Sequence, residues 1–328
     1  MDAEQKVKAL VETAYDHLKD MDADKALAAL EEALKVNVGH PEALYALKCF
    51  NWWRERLGRM NGIEDSYERG VFVISQWNPY YHFIDRIGEA YEPCQYAIKC
   101  FVYQTALESF GKVFSERTNQ QDSGLLLQIG RCYKGAGAFY EAREFLKQAV
   151  RNHGDDAAAV AELADLYALL GEERAARALF REAFYIDPQA VNLRTLESEL
   201  IRRLWERVCA EGYQGPEAAE WIPVYGKLWG VFSIKRELKP VEVGRLKESI
   251  LALEQSVAMD SGQEAQAFTK PRLLNRYFWL IDCYAERGAQ AGAIEEILLK
   301  MQILDPVICE QYRGGRSTAG EKTRRNDV

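Results

Sequence analysis

The chain has 328 residues, 48% of them hydrophobic and 28% charged, with a formal net charge of −8. That composition fits a folded protein. The acidic balance argues against nucleic acid or an anionic membrane as the main partner, because phosphate contacts need a basic surface. No apolar run has the length of a membrane span, and the tempting stretch 71–77 is short and flanked by Glu68, Arg69 and Asn78. Asp2 and Glu4 stand where a signal peptide needs a basic start, so a cytoplasmic location is expected. The seven cysteines are odd in number and show no C-x-x-C spacing. They are expected as reduced, buried groups, and Cys94 and Cys100 are too far around a helix to pair.

In chain order, residues 1–41 read as a helix pair with Leu10, Ala14, Ala26, Leu30 and Ala33 as its apolar positions, Met21 at the turn and Pro41 beyond it. Residues 42–121 read as divergent helices over about 41–61, 63–76, 81–91 and 93–114. This stretch is dense in aromatic residues. They either fill the core between helices or expose an aromatic interface anchored by Trp52, Trp53, Tyr80 and Tyr81.

Residues 122–189 hold two regular units. Gly130, Tyr133, Gly137, Ala142, Leu146 and Ala149 recur as Ala164, Tyr167, Gly171, Ala176, Phe180 and Ala183, each 34 residues on. Small residues suit a close helix crossing, the tyrosines fill the gap between helices, and the glycines permit the positive φ of a turn. In 190–272 we expect a divergent spacer with one long amphipathic helix over 191–211. Leu193, Leu196, Leu200, Leu204 and Val208 line one face of it. A helix over 216–232 interrupted by Pro223, another over 241–259, and a polar loop over 260–270 follow. Residues 273–309 repeat the pattern with Tyr277, Leu280, Tyr284, Gly288 and Ala293, and Pro306 closes it. Residues 310–328 lack apolar periodicity and are expected to be disordered.

The 34-residue register resembles the tetratricopeptide repeat family. The resemblance is close over 123–189, good near the C-terminus and weaker at the N-terminus. It implies an all-α fold, a right-handed α-solenoid of antiparallel helix pairs, partly divergent here. It also implies a concave groove lined by the first helix of each pair. By position, Arg131, Lys134, Asp165, Ala168, Leu169, Phe278, Asp282 and Glu286 would face that groove. The Lys, Asn and Arg set with which some family members grip a carboxylate tail is absent, since Val11 and Tyr15 stand in those places.

No catalytic constellation stands out. The four histidines are far apart, and no phosphate loop, nucleophile elbow or dinucleotide fingerprint occurs. No enzyme activity, cofactor or metal is expected. The resemblance implies a scaffold or adaptor that binds a peptide or helix of another protein. A homodimeric assembly module and a small-molecule-binding regulatory repeat protein are the alternatives.

Overall fold

The computed structural model describes residues 2–88, 90–116, 122–259, 263–288 and 291–325. The fold is all-α, and no strand occurs among the described residues. Helix starts are set by local chemistry. Asp2, Asp65, Asp122 and Asp156 each accept a hydrogen bond from a first-turn N–H, which would otherwise lack a partner. His40 does the same through Nδ1, 3.3 Å from the Ala43 nitrogen, and is itself buried.

The chain divides into two compact units, Met1–His153 and Gly154–Val328. The first holds α1 (Ala3–Lys19), α2 (Ala23–Val36), α3 (Pro41–Met60) and α4 (Ser66–Ser75). It continues with α5 (Trp77–Ile87), α6 (Glu92–Glu116), α7 (Ser123–Gly135) and α8 (Phe139–Asn152). The pairs α1–α2 and α7–α8 pack along their lengths, while α6 lies against α1, α4 and α7. Asn78 and Pro79, expected to end a helix, lie in the first turn of α5. A proline is tolerated there because first-turn N–H groups have no helical partner.

The second unit begins with α9 (Ala157–Leu169) and α10 (Glu173–Ile186). Two short 3-10 turns follow, and then α11 (Glu199–Ala210), α12 (Gly215–Leu228) and α13 (Pro240–Met259). It ends with α14 (Gln263–Glu286), α15 (Ala291–Leu304) and α16 (Pro306–Arg325). The expected helix over 191–211 is corrected: it starts only at Glu199. The cause is Asp165. Its buried carboxylate accepts from the Glu197 and Ser198 nitrogens at 2.8–3.1 Å, beside Leu196 and Ser198, whose backbone is extended.

The expected interruption at Pro223 and the expected loop over 260–270 are corrected as well. Pro223 does not interrupt α12, and Pro271 lies inside α14, so 263–270 are helical and not a loop. Residues 260–262 of that expected loop are outside the described residues. An interior proline costs about 3 kcal/mol. Burial offsets it here, since Ile222 and Val224 beside Pro223, and Leu273, Leu274, Tyr277 and Phe278 beyond Pro271, are all buried. The expected disordered tail is corrected at its start: α16 continues through Gln311, and Tyr312 packs its ring 4.8 Å from that of Phe278. Residues 326–328 lie outside the described residues.

The three regular pairs turn alike. The residue at positive φ is Met21 (63°), Gly137 (83°) or Gly171 (78°). In each turn the N–H of the next residue reaches back to a carbonyl of the first helix, from Asp22 to His17, Ala138 to Tyr133 and Glu172 to Tyr167, at 2.8–2.9 Å. These bonds satisfy carbonyls that the helix end leaves open.

Two glycine substitutions should separate backbone strain from crowding. A Cβ on Gly171 meets nothing within 4 Å, so Gly171→Ala should cost only the left-handed backbone penalty, about 1–2 kcal/mol. A Cβ on Gly130 would lie 2.6 Å from Leu146 Cγ, and Gly130→Ala should cost about 1–3 kcal/mol by overpacking. A compensating Leu146→Ala should relieve the crowding in Gly130→Ala and leave Gly171→Ala unchanged, as read from urea midpoints of the double variants.

Candidate functional site

In the first unit the aromatic stretch forms a core. Trp53 is fully buried, with its ring 4.8 Å from Trp77 and 5.2 Å from Tyr80. Trp77 in turn stacks on Tyr103 of α6 at 5.2 Å. Trp52 is half-buried beneath the Arg56 guanidinium, 3.4 Å above its ring. Of the four expected interface anchors, Trp53 and Tyr80 are therefore core residues, and Trp52 and Tyr81 are half-buried at its margin. The rings join α3, α5 and α6, and burying them there gains more than exposing them.

Of the expected groove residues on α7, Lys134 is corrected and Arg131 keeps part of its surface open. Lys134 is 3% exposed, whereas Arg131 is half-buried. Helix α7 is covered by α8 on one side and by α6 on another, which leaves little of its surface open.

A pair of thiols emerges in the same core. Cys94 of α6 is hydrogen-bonded not to the neighbourhood of Cys100 but to Cys49 of α3, and both are fully buried. The bond to Cys49, together with burial, holds the Cys94 thiol up, and the same bond draws Cys49 down to about 7. Gln95 donates to the Tyr45 hydroxyl at 2.7 Å beside them.

In the second unit three of the expected groove residues turn inward. Asp165 caps the chain before α11, Phe278 is packed against Tyr312, and Asp282 forms a buried ion pair. Ala168 and Leu169 are half-buried, and Glu286 is exposed. The reason is that α14 is not a solvent-lined first helix: it packs on α12, α13 and α15 together.

Two charge clusters that the sequence reading missed, one buried and one centred on a single buried acid, tie α12 and α14 to α10 and the residue that follows it. Arg181 of α10 and Lys227 of α12 both reach Oδ2 of Asp282 at 2.6 Å. Arg181 also donates to the Ile234 carbonyl at 2.7 Å and lies 4.2 Å from the centre of the Trp279 ring. In the second cluster, Arg272 of α14 bonds both oxygens of the fully buried Glu220 at 2.6 and 2.8 Å and reaches Asp187 at 3.1 Å. The bond to Glu220 holds Arg272 above the usual arginine range, outweighing its partial burial. The one available signal was a single acid inside an apolar run: Asp282 in Tyr277–Tyr284 and Glu220 in 218–225.

A cleft of about 410 Å³ runs beside α13, α14 and α15, with Val257, Leu273, Tyr277 and Ile303 among its lining residues. A second cavity of about 230 Å³ shares Glu254, Tyr277 and Lys300 with it and adds Leu251. Tyr277 donates to Glu254 at 2.7 Å and Lys300 reaches the same oxygen at 3.0 Å. Lys270 pairs with Asp305 at 2.8 Å. Two large apolar side chains that line these cavities are open to solvent, Leu251 at 57% and Ile303 at 78%, and Leu299 of α15 is 60% exposed. Leu299 and Ile303 are four apart on α15 and share one face.

No group of three or more His, Cys, Asp or Glu placed to hold a metal occurs among the described residues, and none of their helices is long and apolar enough to cross a membrane. Residues 157–190, which span α9, α10 and the turn after them, match the family model described as tetratricopeptide repeat. The chain thus carries a repeat of this class, whose members in general mediate binding to other proteins. A search of curated proteins found no match to the chain.

The charge clusters give a direct test of what orders the second unit. Asp282→Asn should leave Arg181 and Lys227 buried without a carboxylate and cost about 3–5 kcal/mol. Glu296→Gln, an exposed change elsewhere in the unit, should stay within about 0.5 kcal/mol. Equal urea midpoints for the two variants would show that the Asp282 cluster contributes little.

Proposed function

We propose that this protein is a non-catalytic interaction scaffold whose partner lays an amphipathic segment along the α13–α15 cleft. The observation that carries the reading is that Leu251 and Ile303, both exposed, line two adjoining cavities, with exposed Leu299 one turn from Ile303 on the same face of α15. A contiguous exposed apolar surface with a polar rim is the usual mark of an interaction site. The rim here is mixed, with Lys270 and Lys300 each held by an acid, which suits a helix with an apolar face and polar flanks. Arg131, Ala168, Leu169 and Glu286 remain as secondary contact candidates, because each keeps part of its surface open. A cytoplasmic setting goes with this reading: all seven cysteines are free thiols, as a reducing compartment keeps them.

The test is a photoreactive side chain placed at Ile303 in cells that make the protein. We expect an adduct with a second polypeptide that disappears when Leu299→Asp is added. Leu299→Asp alone should keep stability within about 1 kcal/mol, as for an exposed site. An adduct between two copies of this chain would transfer the reading to a homo-oligomeric module. Adducts that persist unchanged with Leu299→Asp would remove the cleft from consideration.

A further inference from the structure

The Arg181–Lys227–Asp282 cluster fixes three helices, yet its charges do not balance. Two cations share one carboxylate oxygen at 2.6 Å each. A third, Lys235, stands close enough to act on Lys227. Lys227 is held below the usual lysine range, first by burial. Asp282 pulls it back up, while Arg181 and Lys235 push it further down by like-charge repulsion. Arg181 has no latitude to move away, because its guanidinium is held by Asp282, by the Ile234 carbonyl and by the face of Trp279. Charge of one sign, taken partly out of water, favours a bound counter-ion.

A cavity of about 360 Å³ opens on this cluster. Lys227, Ser233, Lys235 and Asp282 line it on the polar side, and Leu228 and Ile281 provide apolar wall. It is a different place from the α13–α15 cleft, with no lining residue in common.

We infer that this cavity binds a small molecule carrying a doubly charged phosphate head. Three cations against one carboxylate leave two positive charges, and a phosphate monoester near neutral pH carries about −1.5 to −2. Lys227 and Lys235 contact the phosphate oxygens, the Ser233 hydroxyl donates to one of them, and Leu228 with Ile281 receives the body of the ligand. Asp282 does not touch the phosphate. It holds Lys227 in place and keeps the cluster from carrying three uncompensated charges.

The full chain is titrated calorimetrically with phenyl phosphate, and with benzoate as a singly charged molecule with the same ring. Phenyl phosphate should bind, inorganic phosphate should compete, and benzoate should bind more weakly. Lys235 and Ser233 are exposed, so Lys235→Glu and Ser233→Asp should fold as the parent does. Each should weaken phenyl phosphate by about tenfold or more, as when like charge is placed in a contact. Ile303→Asp, in the other cleft, should leave phosphate binding unchanged, so that the two sites stand or fall separately. The inference is overturned by any of three results: no heat at millimolar phenyl phosphate, binding retained in folded Lys235→Glu, or benzoate binding as tightly as phenyl phosphate.

Discussion

Two helices of a pair can lie side by side only if the chain reverses within a few residues, and the regular pairs here make that reversal through one residue at positive φ. Met21, Gly137 and Gly171 meet this requirement at corresponding turns. Once the turn is set, the crossing distance depends on what stands between the helices. Gly130 lets Leu146 come so close that a Cβ would lie 2.6 Å from it. The tight turn and the missing Cβ together bring α7 and α8 into contact along their lengths, and Ala164 with Phe180 holds the corresponding places in α9 and α10. A residue such as Met21 can serve where glycine is expected, because the two capping hydrogen bonds repay part of its backbone strain.

Where the 34-residue register lapses, other forces place the helices. In the first unit the substitute is aromatic: Trp53, Trp77 and Tyr80 fill the space between α3, α5 and α6. In the second it is ionic. Arg181, Lys227 and Asp282 at one level, and Asp187, Glu220 and Arg272 at another, join the same three helical segments. Buried ion pairs add little net stability over an apolar core, but a misplaced helix would strand a charge. They therefore select one arrangement of α10, α12 and α14 more than they deepen it. Asp165 acts in the same manner on a loop, taking two backbone N–H groups that would otherwise extend α11.

The regular pairs were legible because their rules are local. Asp122 caps a helix three residues away, and Gly137 shapes its own turn. What escaped were contacts between residues far apart in sequence. Arg181 and Asp282 are separated by 101 positions and Arg272 and Glu220 by 52, and no periodicity announces either pair. The same limit explains Lys134. One repeat leaves its position open, but α7 also packs against α6, outside the regular units, and Lys134 is buried. Pro223 was misjudged because helix-breaking tendency was weighed without the burial that overrides it. The exposed Leu251 and Ile303 that line the two adjoining cavities come from two helices separated by the whole of α14, so neither helix pattern alone brings them together.

The aromatic core of the first unit has an optical consequence. Trp52, Trp53 and Trp77, the three tryptophans of that unit, stand within one cluster, with ring centres 5.1 Å apart for the first pair and 4.8 Å for Trp53 and Trp77, at steep mutual angles. Indole transitions so close and so inclined couple as excitons, which gives paired circular-dichroism bands of opposite sign. The remaining four tryptophans, Trp205, Trp221, Trp229 and Trp279, belong to the second unit, and Trp229 and Trp279 each lie beneath an arginine instead. The exciton signal of the intact chain is therefore weighted toward the joint of α3 and α5, and it reports the opening of that joint without any attached label.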